Sequence, residues 1–171
     1  MRILLVYYSR SGVTRKAAEK IAELLRGTPG VELTIEEILD KKDRRGLRGW
    51  LGGGYDAMRK RPAAIEDVKV DVRAFDLVVI GTPVWAWTVT PAVRVFCEGH
   101  GRSAARVAFY CTMGGSGNER TFETMEQLCA KAPAATASFI DRNVKTGSPD
   151  HFVAVARAFG EQLLAAVSDS E

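Results

Sequence analysis

Apolar residues along this chain fall alternately into short unbroken runs and longer stretches of helical spacing. Ile3, Leu4, Leu5, Val6, Tyr7 and Tyr8 form an unbroken run, the pattern of a strand buried on both faces. Ala17, Ile21, Leu24 and Leu25 follow at the steps of an amphipathic helix, which Gly27 and Pro29 end. From Val31 to Ile38, Val31, Leu33 and Ile35 alternate with polar residues, which predicts an edge strand. After a long connection, Asp76-Leu-Val-Val-Ile-Gly81 predicts a second central strand, followed by a helix from Pro91 to Glu98 with Val93, Phe96 and Cys97 on one face. Val107 to Cys111 predicts the fourth strand, and Phe122, Met125, Leu128 and Cys129 mark its helix. The weakly apolar stretch Ala135 to Asp141 predicts the other edge. A last helix opens at Ser148-Pro149-Asp150, where the Ser148 hydroxyl accepts from free amides and Pro149 takes the first helical position. Phe152, Val155, Phe159, Leu163 and Val167 form its apolar stripe.

Strands alternating with helices predict an α/β fold, a three-layer doubly wound five-stranded parallel sheet. Two weak edges and a strong first strand fit the order 2-1-3-4-5. In that order the loops leaving strands 1, 3 and 4 converge on one crevice, where function is expected. The chain has 171 residues, and no repeat or linker divides it, so residues 1–171 read as a single domain.

Charge is unevenly distributed. Eight basic residues against two acidic ones between Lys41 and Arg61 give that segment +6 and leave the rest of the chain at −3, since the net charge is +3. A basic insert on a mildly acidic body argues against nucleic-acid binding. No apolar run approaches the ~20 residues of a membrane span. With no basic lead or cleavage site before the first strand, a cytoplasmic protein without membrane association is expected. Cys97, Cys111 and Cys129 form no CxxC pair and read as buried small hydrophobes; with His100 and His151 isolated, no metal site is expected.

The loop after strand 1, Ser9-Arg10-Ser11-Gly12-Val13-Thr14, combines hydroxyls with amides at the positive end of a helix, which suits a phosphate. It is neither a Walker loop nor a dinucleotide fingerprint. The loop after strand 3, Thr82-Pro83-Val84-Trp85-Ala86-Trp87-Thr88, puts two tryptophans at the mouth of the crevice, where a planar ligand explains them. The loop after strand 4, Thr112-Met113-Gly114-Gly115-Ser116-Gly117-Asn118, reads either as a flexible helix entry or as a backbone that approaches a ligand closely and presents amides to its polar edge. Cys111 lacks the closing arginine of a phosphatase loop, and Ser116 lies in no nucleophile elbow. No side chain in these loops reads as an essential acid or base.

Together the three loops resemble those of the flavodoxin-like family, and the resemblance covers essentially the whole chain. Tyr7 to Thr14 is similar to its phosphate-binding loop, Gly81 to Trp87 to its first flavin-contacting loop, and Cys111 to Gly117 to its second. The resemblance implies FMN, with its phosphate on Ser9, Arg10, Ser11, Gly12, Val13 and Thr14. It places the isoalloxazine ring between Thr82, Pro83, Val84, Trp85, Ala86 and Trp87 on one side and Thr112, Met113, Gly114, Gly115, Ser116 and Gly117 on the other. Three departures matter: a cation at Arg10, no aromatic in the strand-4 loop, and no glycine in the strand-3 turn, where glycine would ease a peptide flip beside the flavin.

The resemblance implies a flavin redox protein passing electrons to a partner protein. The alternative is an NAD(P)H-dependent FMN reductase of quinones or other small acceptors, and a third reading is a flavin-free scaffold. The basic, Gly-rich insert at 41–64 carries Trp50, Leu51, Tyr55 and Met58. It is expected either to pack on the sheet or to fold over the flavin or the mate of a homodimer.

Overall fold

The computed structural model describes residues 1–41 and 63–168. Five parallel strands, β1 (Arg2–Tyr7), β2 (Glu32–Glu37), β3 (Leu77–Pro83), β4 (Val107–Met113) and β5 (Pro133–Ile140), pair in the order 2-1-3-4-5. Among the described residues the helices are α1 (Val13–Arg26), α2 (Pro91–Gly99), α3 (Asn118–Cys129), the short α4 (Asp141–Thr146) and α5 (Ala154–Ser168). They cover both faces of the sheet, the three-layer arrangement the alternating pattern predicts.

The unbroken strands are apolar throughout because each of their faces has its own core. Ile3, Leu5 and Tyr7 of β1 and Leu77 and Val79 of β3 meet Ala17, Ile21 and Leu25 of α1 and Phe159 and Leu163 of α5. The intervening Leu4, Val6, Val78 and Ile80 meet Val93, Phe96 and Cys97 of α2 and Met125 and Cys129 of α3. Period-two alternation of direction within a continuous apolar run is what two-sided burial requires. On β2 no residue is fully buried, and on β5 only Ala135, Ala137 and Phe139 are, as expected of edges. The β4–β5 register shifts between Val107 and Phe109, a bulge in the pairing with the edge strand.

Gly81 of β3 is fixed by packing. It lies opposite Tyr110 in the β3–β4 register, and a Cβ there would stand 2.1 Å from the ring carbon Cζ. Tyr110 is fully buried and edge-on to Phe139 at 6.1 Å.

Two local features differ from the sequence expectation. Ser148 makes no side-chain cap; its carbonyl instead accepts from the amides of Phe152 (2.9 Å) and Val153 (3.1 Å), opening a π-helical turn over Pro149–Val153 before α5. The buried stripe then runs Phe152, Ala156, Phe159 and Leu163, with Val155 and Val167 at its margins. Secondly, α4 follows β5 directly and stops at Gly147, a left-handed residue with φ 69°.

The two ends of the basic insert are drawn together by antiparallel pairing of Asp40 with Ile65. Lys41 N donates to Ala64 O and Glu66 N to Leu39 O, both at 2.8 Å. The expectations for Trp50, Leu51, Tyr55 and Met58 lie outside the described residues.

Candidate functional site

The loops leaving β1, β3 and β4 meet at the carboxyl edge of the sheet, around a cavity of about 310 Å³. That is at the small end of the ~300–1,000 Å³ usual for small-molecule sites. Arg10, Ser11, Val13, Thr14, Pro83, Val84, Trp85, Thr112, Met113, Gly114 and Asp141 line it.

The first loop turns into α1 through Gly12, which takes φ 87° and caps the helix with no side-chain hydrogen bond. Only a residue without a Cβ adopts this left-handed conformation readily. Ser9 lies outside the cavity lining and serves the turn: its Oγ accepts from the Arg15 amide at 3.2 Å. The Arg15 guanidinium in turn grips both oxygens of Glu37 at 2.8 Å, tying the start of α1 to the end of β2. Tyr7 lies against this pair, its hydroxyl pushed up chiefly by burial and then by the Glu37 charge. Ser9 thus takes the third amide of α1, and the Val13–Thr14 start of the helix keeps its positive pole at the cavity.

The second loop is a two-residue hairpin. Trp85 N donates to Thr88 O and Thr88 N to Trp85 O, both at 3.0 Å, around Ala86 (φ 48°) and Trp87 (φ 59°). Paired positive φ angles are those of a type I′ turn, which normally selects Asn-Gly; non-glycine residues pay roughly 1–2 kcal/mol each there. Trp85 points inward, its ring 5.7 Å from Tyr8 in a T-shaped contact and 5.9 Å beneath the Arg10 guanidinium carbon. Trp87, at the tip, is 63% exposed and does not line the cavity. Thr82 is fully buried, and its Oγ1 accepts from Thr90 N at 3.3 Å, clamping the base of the hairpin onto α2.

The third loop is joined to the other two. Thr112 and Thr14 share a buried hydroxyl–hydroxyl hydrogen bond at 2.9 Å, and Val84 N donates to Thr112 O at 2.8 Å. Of its glycines, Gly114 lines the cavity and Gly115 is exposed beside Ser116. Gly117 has φ 101°, and a Cβ there would meet Val84 Cγ1 at 2.8 Å and Trp87 Cα at 3.1 Å. The close approach at Gly117 is to the tryptophan hairpin, whereas the sequence reading expected this loop to approach a ligand.

Asp141, missed in the sequence, borders the cavity from the start of α4. Partial burial raises its carboxyl above the ordinary aspartate value, with Lys145 opposing. The signal was its place at the carboxyl end of β5, one strand beyond the loops considered. Cys111 is wholly buried, and burial and then the Asp141 charge push its thiol up to about 12, away from the thiolate a nucleophile needs. Among the described residues, no group of three His, Cys, Asp or Glu side chains is placed to hold a metal ion, and no helix is long and apolar enough to cross a membrane.

A family model described as flavodoxin matches residues 2–151. The chain belongs to the flavodoxin family. Flavodoxin-family structures share its fold at low identity. A flavoprotein of Lactobacillus acidophilus NCFM, solved in complex with FMN, is 22% identical with a TM-score of 0.66, over 85% of this chain and 97% of that one. Oxidised flavodoxin 2 of Bacillus cereus is 15% identical with a TM-score of 0.62, over 96% and 99% of the two chains. A flavodoxin from the domain Archaea is 16% identical with a TM-score of 0.56, also over 96% and 99%. No curated protein sequence matches the chain.

Proposed function

We propose that this flavodoxin-family chain binds FMN in the cavity at the carboxyl edge of its sheet and passes electrons through it. The observation that carries the reading is the mixed lining of that cavity. The start of α1, the Arg10 guanidinium and the Ser11 hydroxyl supply positive and donor groups, and Pro83, Val84, Met113 and the Trp85 ring, over which Arg10 lies, supply apolar surface. A ligand that joins a dianionic phosphate to a flat apolar ring matches that lining. FMN supplies the redox chemistry when bound.

The chain's own residues bind and orient. The α1 amides, Gly12 and Ser11 take the phosphate, with Arg10 as a cation already at the rim. The Thr14–Thr112 pair and Asp141 offer polar atoms along the intervening wall. Trp85 and Met113 provide the apolar surface that keeps water from the ring. The reading extends to a redox partner protein as the source or sink of electrons.

One observation favours the reductase alternative, with NAD(P)H as donor and a small molecule such as a quinone as acceptor. The Trp85–Thr88 hairpin is closed by two hydrogen bonds and contains no glycine to ease a peptide rotation. Resistance of that turn to rearrangement disfavours adjustment of the chain between one-electron steps. The two readings separate in an anaerobic reductive titration of FMN-loaded protein. NADH, NADPH and dithionite are used in turn and followed through the visible spectrum. A carrier is reduced by dithionite and left oxidised by both nicotinamides; a reductase is bleached by a nicotinamide directly.

A further inference from the structure

At the end of the sheet opposite the cavity, two of the three cysteines meet. Cys97 lies in the last turn of α2 and Cys129 ends α3, and the two are 0% and 1% exposed. α2 and α3 pack on one another, and the turn Gly101–Ser103 packs on both. A Cβ on Gly101 would stand 2.6 Å from Cys129 Sγ and 3.8 Å from Cys97 Cβ, so the bare backbone of Gly101 is what lets both cysteines close on one point. The two buried thiols interact there.

We propose that Cys97 and Cys129 are a reversible dithiol–disulfide site, oxidised by low-molecular-weight disulfides of the glutathione class, whose closure staples the C-terminal end of α2 to that of α3. The two thiols are unequal in the way exchange requires. The contact with Cys97 draws Cys129 below the ordinary thiol value, and Lys131 and Arg102 add to this against burial. Cys97, wholly buried, is held well above it. Arg102 is fixed beside the end of α3 by donation from its Nε to Leu128 O at 2.9 Å.

Cys129, the last residue of α3 with Arg102 held beside it, is the attacking sulfur, and the wholly buried Cys97 resolves. Its thiolate displaces one small thiolate from the disulfide and forms a mixed disulfide. The Cys97 sulfur, giving its proton to the departing thiolate, then attacks Cys129 Sγ and expels the second small thiol. Two protein thiols lose two electrons to one small disulfide, which leaves as two thiols. Access is from the helix end, where Ala130 is exposed and left-handed with φ 51°, so that opening of the last turn would uncover Cys129 first. None of this depends on flavin binding.

The test is incubation of the folded protein with oxidised glutathione, an alkylating quench, intact mass and peptide mapping. The expected product is lighter than reduced protein by two hydrogens, contains a Cys97–Cys129 cross-linked peptide, keeps Cys111 as a free thiol, and reverts with dithiothreitol. Cys97→Ser is expected to trap glutathione on Cys129. Three alkylatable thiols persisting in folded wild type, a mixed disulfide that never resolves, or a bond to Cys111 overturns the proposal.

Discussion

Replacing Gly81 by alanine tests the packing that aligns β3 and β4 beneath the site. The new Cβ falls 2.1 Å from Tyr110 Cζ and 2.3 Å from both Cε1 and the hydroxyl oxygen. Tyr110 has no room to swing away, because Phe139 and Phe159 stand 6.1 and 6.4 Å from its ring centre. Either the strands spread, at the 1–3 kcal/mol typical of overpacking, or the ring is expelled, at a cost nearer the ~3–5 kcal/mol of a large-to-small core change. A loss of about 3 kcal/mol is expected, a fall in Tm of roughly 6–12 °C for a chain of this size. Because the Tyr110 hydroxyl reaches Thr14 O at 3.5 Å, ligand affinity is expected to fall as well. Urea denaturation followed by circular dichroism measures the loss. Repeating the substitution in a Tyr110→Leu background, where the clashing ring atoms are gone, is expected to recover much of it. A Gly81→Ala protein within about 0.5 kcal/mol of wild type, or strict additivity in the cycle, refutes the packing argument.

Two further outcomes are expected. Converting Ala86-Trp87 to Asn-Gly matches residue type to the type I′ turn and is expected to raise stability by roughly 0.5–1 kcal/mol net of glycine's entropy, read as a higher urea midpoint; a lower midpoint contradicts the strain assigned to the turn. The Asp141 carboxyl is raised in the folded state, so its contribution is present below the ordinary value of 3.8 and is lost as pH climbs through the folded value. Asp141→Asn is therefore expected to match wild type in acid and to be the more stable protein at neutral pH, and a gain confined to acid contradicts the sign.

Much of the fold was legible because burial on both faces writes itself as unbroken apolar runs and burial on one face as alternation. The pattern of apolar positions alone therefore distinguishes β1 and β3 from the β2 edge. Other features carry no such periodicity. The six residues of α4 are too few for an amphipathic repeat, and with that helix Asp141 was missed at the cavity. The conformation of Ala86-Trp87 contradicts local propensity, so it is visible only once the Trp85–Thr88 pairing is known. Gly117 was recognisable as a place of close approach, but its neighbours, Val84 and Trp87, come from another loop. Thr82 read as part of the ligand loop, whereas its hydroxyl is engaged with Thr90.

The most direct test of the account is titration of cofactor-free protein with FMN and, separately, with riboflavin, followed by flavin fluorescence. FMN is expected to bind one per chain, and to bind more tightly than riboflavin by at least about tenfold, the worth of a single charge-assisted hydrogen bond of roughly 1.5 kcal/mol to the phosphate. Equal affinity for the two flavins, or no binding of either, contradicts the claim that the start of α1 and Arg10 form a phosphate site.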